Sequence, residues 1–146
     1  MSATFKHDFA VYSPDGSLAL VVEAKARKGT TAQWATALRT NLIESRRLST
    51  ETMFLLATPT ALYVWLPGEP ADAQASNELV AERLFRPYYE AAGIASGAAD
   101  PTVFEFIVGA WLRDVVRGTA GRDPGLDKTR LPSLLGGGRV EGEAMR

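Results

Sequence analysis

The passage from Leu18 to Ala57 constrains the fold more than any other. An apolar run, LALVVEA (18–24), is followed by a segment of helical periodicity and then by a second apolar run, TMFLLA (52–57). Trp34, Leu38 and Leu42, with Ala35 and Ile43, recur at three- and four-residue spacing, so they share one stripe of a helix from about Thr31 to Arg46. Thr30 with Gln33 forms a capping box at its start. Strand, helix and strand in this order predict a right-handed parallel crossover, the hand in which a twisted strand lets the helix pack back on the sheet. TMFLLA lacks polar alternation, the pattern of a strand covered on both faces. ALYVWL (61–66) resumes after Thr58-Pro59-Thr60 as a partner strand rich in β-formers.

Upstream, FAVY (9–12) and the strand from Leu18 flank SPDG, whose proline presets φ and whose glycine accepts a positive one; this is a β-hairpin. Downstream, PGEPADAQAS (67–76) is a polar connector. Ser76 caps a helix expected from Asn77, with Pro87 kinking or restarting it before Gly93. Asp100-Pro101 starts another helix, whose apolar stripe is Phe104, Ile107, Val108, Trp111, Leu112 and Val115 and whose stop is Gly118. After Thr119 glycine is frequent and periodicity disappears, which predicts a flexible tail over 119–146 with TRLPSLL (129–135) as its apolar patch. The expected fold is α/β. A mixed sheet is flanked by helices in one domain over 1–118, with a core at 7–66 and C-terminal helices at 77–118.

Composition narrows the chemistry. With 146 residues the chain suits one domain. No apolar run approaches the roughly 18–20 residues that span a bilayer, and no secretory signal pattern is visible, so no membrane partner and a cytoplasmic location are expected. The absence of cysteine and the single histidine exclude disulfides, thiolate zinc sites and His-rich metal sites. A net charge of −1 gives no overall field for nucleic acid. Residues 25–47 nevertheless hold Lys25, Arg27, Lys28, Arg39, Arg46 and Arg47 against Glu44 alone, a segment able to meet phosphates or to form a solvated helix face.

That basic segment begins at Glu23-Ala24-Lys25. Residues i and i+2 of a strand project from one face, so Glu23 and Lys25 present a carboxylate and an ammonium together. Two carboxylates on neighbouring strands can hold a magnesium ion, and a lysine beside them can orient water or neutralise a phosphate. The second carboxylate must come from the partner strand. If Tyr12 pairs with Ser17 across a four-residue loop, Asp8 falls opposite Val21, on the Glu23 face and diagonal to Glu23. A three-residue Pro-Asp-Gly loop shifts the register by one and turns Asp8 away, unless a second bulge restores the phase. Asp15 sits in the turn, roughly 25 Å from Glu23 along an extended strand, and serves the turn. His7, by alternation, points to the opposite face from Asp8.

HDFAVYSPDGSLALVVEAKA (7–26) resembles the motif region of the PD-(D/E)xK superfamily, the restriction-endonuclease-like nucleases. There an aspartate opens one strand, a hairpin turns, and an apolar strand ends in (Asp/Glu)-x-Lys before a helix. The matching residues are Asp8, Glu23 and Lys25, with His7 standing where a proline is usual. The resemblance spans about residues 7–66. It implies a restriction-endonuclease-like fold and Mg²⁺ or Mn²⁺ held by Asp8, Glu23 and the Ala24 carbonyl. It further implies catalysis by Asp8, Glu23 and Lys25, with Gln33 at the first helical turn as a further candidate. Nucleic acid is the expected partner, DNA ahead of RNA, with Arg27 and Lys28 meeting phosphate. One subunit offers little basic surface for a duplex, so a homodimer or a larger defence or repair complex fits the reading. The second functional class is a catalytically silent nuclease-fold module that binds nucleic acid or protein.

Overall fold

In the computed structural model, residues 7–95, 100–121 and 123–142 are described. The chain order is β1 (Phe9–Tyr12), β2 (Leu18–Ala24), α1 (Ala32–Glu44), β3 (Met53–Ala57), β4 (Ala61–Trp65), β5 (Asn77–Val80), α2 (Ala81–Ala92), α3 (Pro101–Arg117), α4 (Pro124–Lys128), α5 (Leu131–Leu135) and β6 (Arg139–Gly142). The strands form one sheet in the order β5-β4-β3-β2-β1-β6. β2 and β3 run parallel, joined through α1, and the other neighbours are antiparallel. The expected α/β layout with a mixed sheet flanked by helices is therefore present.

Alternation divides the sheet into two faces. Phe9, Val11, Leu20, Val22, Leu55 and Val64 pack with α2 and α3 on one side. Val21, Phe54, Leu56, Tyr63 and Trp65 pack under α1 on the other. Every residue of β3 is buried, as a strand covered on both faces requires. The stripe of α3 is buried throughout, and Trp111 and Phe104 meet the Phe85 ring edge-on at centroid distances of 5.5 and 5.8 Å. Asp100 caps α3 by accepting from the N–H groups of Thr102 and Val103, and Gly118 ends it at φ 76°.

Three local expectations are corrected. The cap of α1 is Thr31, whose Oγ1 accepts from Trp34 N–H at 3.1 Å, while the Thr30 hydroxyl lies 2.8 Å from the Tyr63 hydroxyl. With the cap one residue later, Gln33 is the second helical residue rather than the third and no capping box closes. Asn77–Val80 form an edge strand against β4, and α2 starts only at Ala81, because Leu79 is buried through the sheet and Ser76 Oγ accepts from Leu66 N–H. Residues 123–142, expected to be tail, carry α4, α5 and β6. Asp123 caps α4 and takes the Arg83 guanidinium at 2.6 Å, and Leu126, Leu131 and Leu135 are buried against the α3 side. Residue 122 and residues 143–146 of that tail lie outside the described residues.

β6 flanks β1 on the side away from β2 and so reaches the backbone of Asp8. Gly142 pairs with Phe9, and a Cβ there would collide with the Asp8 carbonyl oxygen and the Phe9 ring. Only glycine lets the last strand lie this close.

Candidate metal and phosphate site at the open hairpin

The register of the β1–β2 hairpin decides whether Asp8 meets Glu23. Ser13 N–H donates to Ser17 O and Gly16 N–H to Ser13 O, both at 2.8 Å, with Gly16 at φ 89°. Pro14, Asp15 and Gly16 thus form the three-residue loop, not the four-residue one, and Tyr12 pairs with Leu18 instead of Ser17. Alone, that shift would turn Asp8 to the other face. A second irregularity follows between Val11 and Tyr12, where Ala19 is the extra residue, and from there Val11 faces Leu20 and Phe9 faces Val22. Two single shifts restore the parity. One step further, Asp8 stands opposite Glu23 itself, not opposite Val21.

The side chains confirm that step. Asp8 N–H donates to Glu23 Oε2 at 3.0 Å, and Ala24 N–H donates to Asp8 Oδ2 at 2.8 Å. Both carboxylates lie on the Val21 face of the sheet, where, among the described residues, α1 packs over Val21, β3 and β4 rather than over β1. Glu23 is 5 % exposed. Burial raises the Asp8 carboxyl above its ordinary value of 3.8, with the Glu23 charge adding to the rise. The Ala24 N–H, the Lys25 ammonium and His7 pull the other way without cancelling it. Lys25 follows the strand end, its N–H bonded to Ala57 O at 2.8 Å and its side chain exposed.

This donor set fits a small divalent cation. Each carboxylate commits one oxygen to a backbone N–H; the second oxygens are Asp8 Oδ1 and Glu23 Oε1, the latter 3.8 Å from His7 Nδ1. Magnesium is commonly held by one or two carboxylates, with waters and substrate oxygens completing its shell. Among the described residues no three His, Asp or Glu side chains converge as a ready cage. Raising the Asp8 pKa makes the ionised form costly in the fold. Stability from the neutral form is present below 3.8 and is lost as pH rises through the raised value. Asp8→Asn, which keeps an oxygen for Ala24 N–H, should therefore raise the melting temperature in EDTA at pH 7. That advantage should vanish by about pH 3, below the ordinary carboxylate value. A melting temperature below wild type at pH 7 would show that the pair clamps the hairpin without electrostatic strain.

The remaining candidates are dispersed. Asp15 Oδ1 accepts from Ser17 Oγ at 2.7 Å and from Ser17 N–H at 2.9 Å, bonds that hold its carboxyl below the ordinary range; it serves the turn. Gln33 is exposed in the first turn of α1. Arg27 and Lys28 are exposed just past Lys25, and the Arg27 guanidinium lies 5.5 Å from the Trp34 ring centroid. Arg39, a member of the basic segment by sequence, is fully buried instead.

His7 does not point away from the carboxylates, as alternation predicts. Its Nδ1 lies 3.8 Å from Glu23 Oε1 and its Nε2 lies 2.9 Å from Arg47 O. The strand begins only at Phe9, so strict alternation does not extend to His7. Its position immediately before Asp8 was the available signal.

No family model matches the chain, and no match was found among curated proteins or solved structures.

Proposed function

We propose that this protein is a metal-dependent nuclease that hydrolyses phosphodiester bonds in DNA or RNA. The observation that carries the reading is the direct opposition of Asp8 and Glu23 across the hairpin, beside Lys25. Asp8 and Glu23, with the Ala24 carbonyl at the strand end, would hold Mg²⁺ or Mn²⁺. Such an ion, when bound, supplies positive charge to phosphate oxygens and lowers the pKa of water. Lys25 contributes an exposed ammonium that can orient the attacking water and neutralise the phosphate. Arg27 and Lys28 continue positive charge beyond the strand end, where adjacent phosphates would run. Gln33, one turn into α1, is the remaining polar candidate.

One observation favours a second reading. Each carboxylate already bonds to the backbone across the hairpin, as a structural clamp would. On that reading the chain is a catalytically silent nuclease-fold module, a nucleic-acid-binding or protein-interaction subunit of a defence or repair system.

The test is cleavage of labelled single- and double-stranded DNA and RNA with Mg²⁺ or Mn²⁺, against EDTA. We expect metal-dependent cleavage by wild type and its loss in Lys25→Ala. Wild type that neither cleaves nor binds either metal would leave the silent module as the better account.

A further inference from the structure

α1 ends in a way that the other long helices do not. α2 closes on Gly93 at φ 69° and α3 on Gly118 at φ 76°, the left-handed conformation that glycine adopts without penalty. After α1 the left-handed residue is Arg46, at φ 61°. Its N–H bonds to Ile43 O at 3.0 Å, and Arg47 N–H bonds to Leu42 O at 2.8 Å, so the same helix-stopping turn is built with a strained residue. Backbone strain of this kind persists where the side chain is needed in that place.

The place is a groove of about 430 Å³ along the open face of β2. Arg46 and Arg47 form its rim with His7, Ser49 and Thr52 add polar groups, and among the described residues no carboxylate lines it. The floor is apolar: Val21, Ile43 and Leu48 line it beside Leu18, which is 45 % exposed. Arg46 is exposed, and among the described residues its guanidinium has no ion-pair partner. His7 joins the groove to the carboxylates, touching Arg47 O on one side and approaching Glu23 on the other. Leu18 and Val21 precede Glu23 on β2, and Arg27 and Lys28 follow it past the end of the strand. The carboxylate pair therefore lies between two basic stretches.

A basic rim with an apolar floor suits one kind of occupant. Phosphate takes the Arg46 guanidinium, and an apolar floor accepts the face of a base. In a duplex the bases are stacked and paired inward, so only an unpaired nucleotide can present that face. We infer that this groove seats an unpaired nucleotide next to the scissile phosphate, with Arg46 on its phosphate, so that the substrate is single-stranded nucleic acid. The inference rests on the nuclease reading for what lies at Asp8 and Glu23, but binding can be measured with cleavage switched off.

The experiment is fluorescence anisotropy in EDTA, using a fluorescein-labelled single-stranded oligonucleotide and its duplex, with wild type and Arg46→Gly. Thermal melting of both proteins runs alongside. Arg46→Gly should melt at a higher temperature, since glycine relieves the left-handed strain. It should bind the single strand about tenfold more weakly, the usual loss for one charged hydrogen bond. Its slope of log affinity against log salt should fall by about 0.7, one phosphate contact on a single strand. Unchanged single-strand affinity and salt slope would overturn the inference, as would wild type preferring the duplex. Mg²⁺-dependent cleavage with Arg46→Gly binding as wild type would sink the groove and leave the nuclease standing. Weakened binding and a reduced slope, without any cleavage by wild type, would support the groove and sink the nuclease.

Discussion

If the proposed nuclease reading holds, Glu23→Gln should reduce Mg²⁺-dependent cleavage by roughly 1,000-fold, because removing a ligand charge would forfeit several kcal/mol of metal-supplied stabilisation and each 1.36 kcal/mol is about tenfold in rate. The substitution is nearly isosteric. The amide oxygen of glutamine can still accept from Asp8 N–H, the bond that Glu23 Oε2 makes at 3.0 Å, so the hairpin should remain closed. What disappears is the charge, on a residue only 5 % exposed. Asp8→Asn should cause a loss of similar size for the same reason, and both variants should lose Mg²⁺-dependent thermal stabilisation. Asp15→Ala is the informative control. Asp15 bonds to Ser17 at the hairpin tip and is far from Glu23, so its removal should leave turnover near wild type. Folded Glu23→Gln that cleaves at wild-type rate, or Asp15→Ala that alone is inactive, would refute the assignment of the metal site.

The hairpin shows where sequence reasoning holds and where it depends on parity. Two strands, a turn at SPDG and a carboxylate pair were legible, because proline, glycine and apolar runs act locally. The register was legible only as an alternative. The Gly16 loop is dictated by its own residues, but the Ala19 bulge is not: it arises where β1 must pair with β2 and β6 together. β6 was invisible for a related reason. Arg139–Gly142 has weak strand character by itself and becomes a strand by completing an edge, with Gly142 fitted against Asp8 and Phe9. Likewise Asn77–Val80 looked like the start of a helix because Ser76 is a good cap. The neighbouring edge of β4 overrode that local preference. Arg46 gave no signal, since its strain belongs to the folded helix end. His7 and Asp8 lie together in the sequence, but only the end of β1 explains why both approach Glu23.

Arg39→Ala should destabilise the protein by about 3–5 kcal/mol, because it combines a cavity with buried polar groups left unpaired. Ala35, Arg39 and Leu42 are the residues of α1 that are buried, spaced four and three apart on one stripe, so the helical pattern put an arginine in the core. The guanidinium has a defined task there. It donates to Pro70 O at 2.7 Å and Glu69 O at 2.9 Å and lies 5.5 Å from the centroid of the Trp65 ring. Thr40 Oγ1 donates to Ala71 O at 2.7 Å and Trp65 Nε1 to Ala73 O at 2.9 Å, so the polar connector after β4 is held by a row of donors. Burial lowers the Arg39 pKa without bringing an arginine near neutrality, so the charge persists at working pH. Arg39→Lys should recover only part of the loss, because one ammonium cannot reproduce a planar fork reaching two carbonyls. Urea denaturation measures both differences. Native-state hydrogen exchange should show the largest gain in local opening in the connector, residues 67–76. An Arg39→Ala loss below about 1 kcal/mol would place this arginine with ordinary surface charges, whose removal has effects of that size.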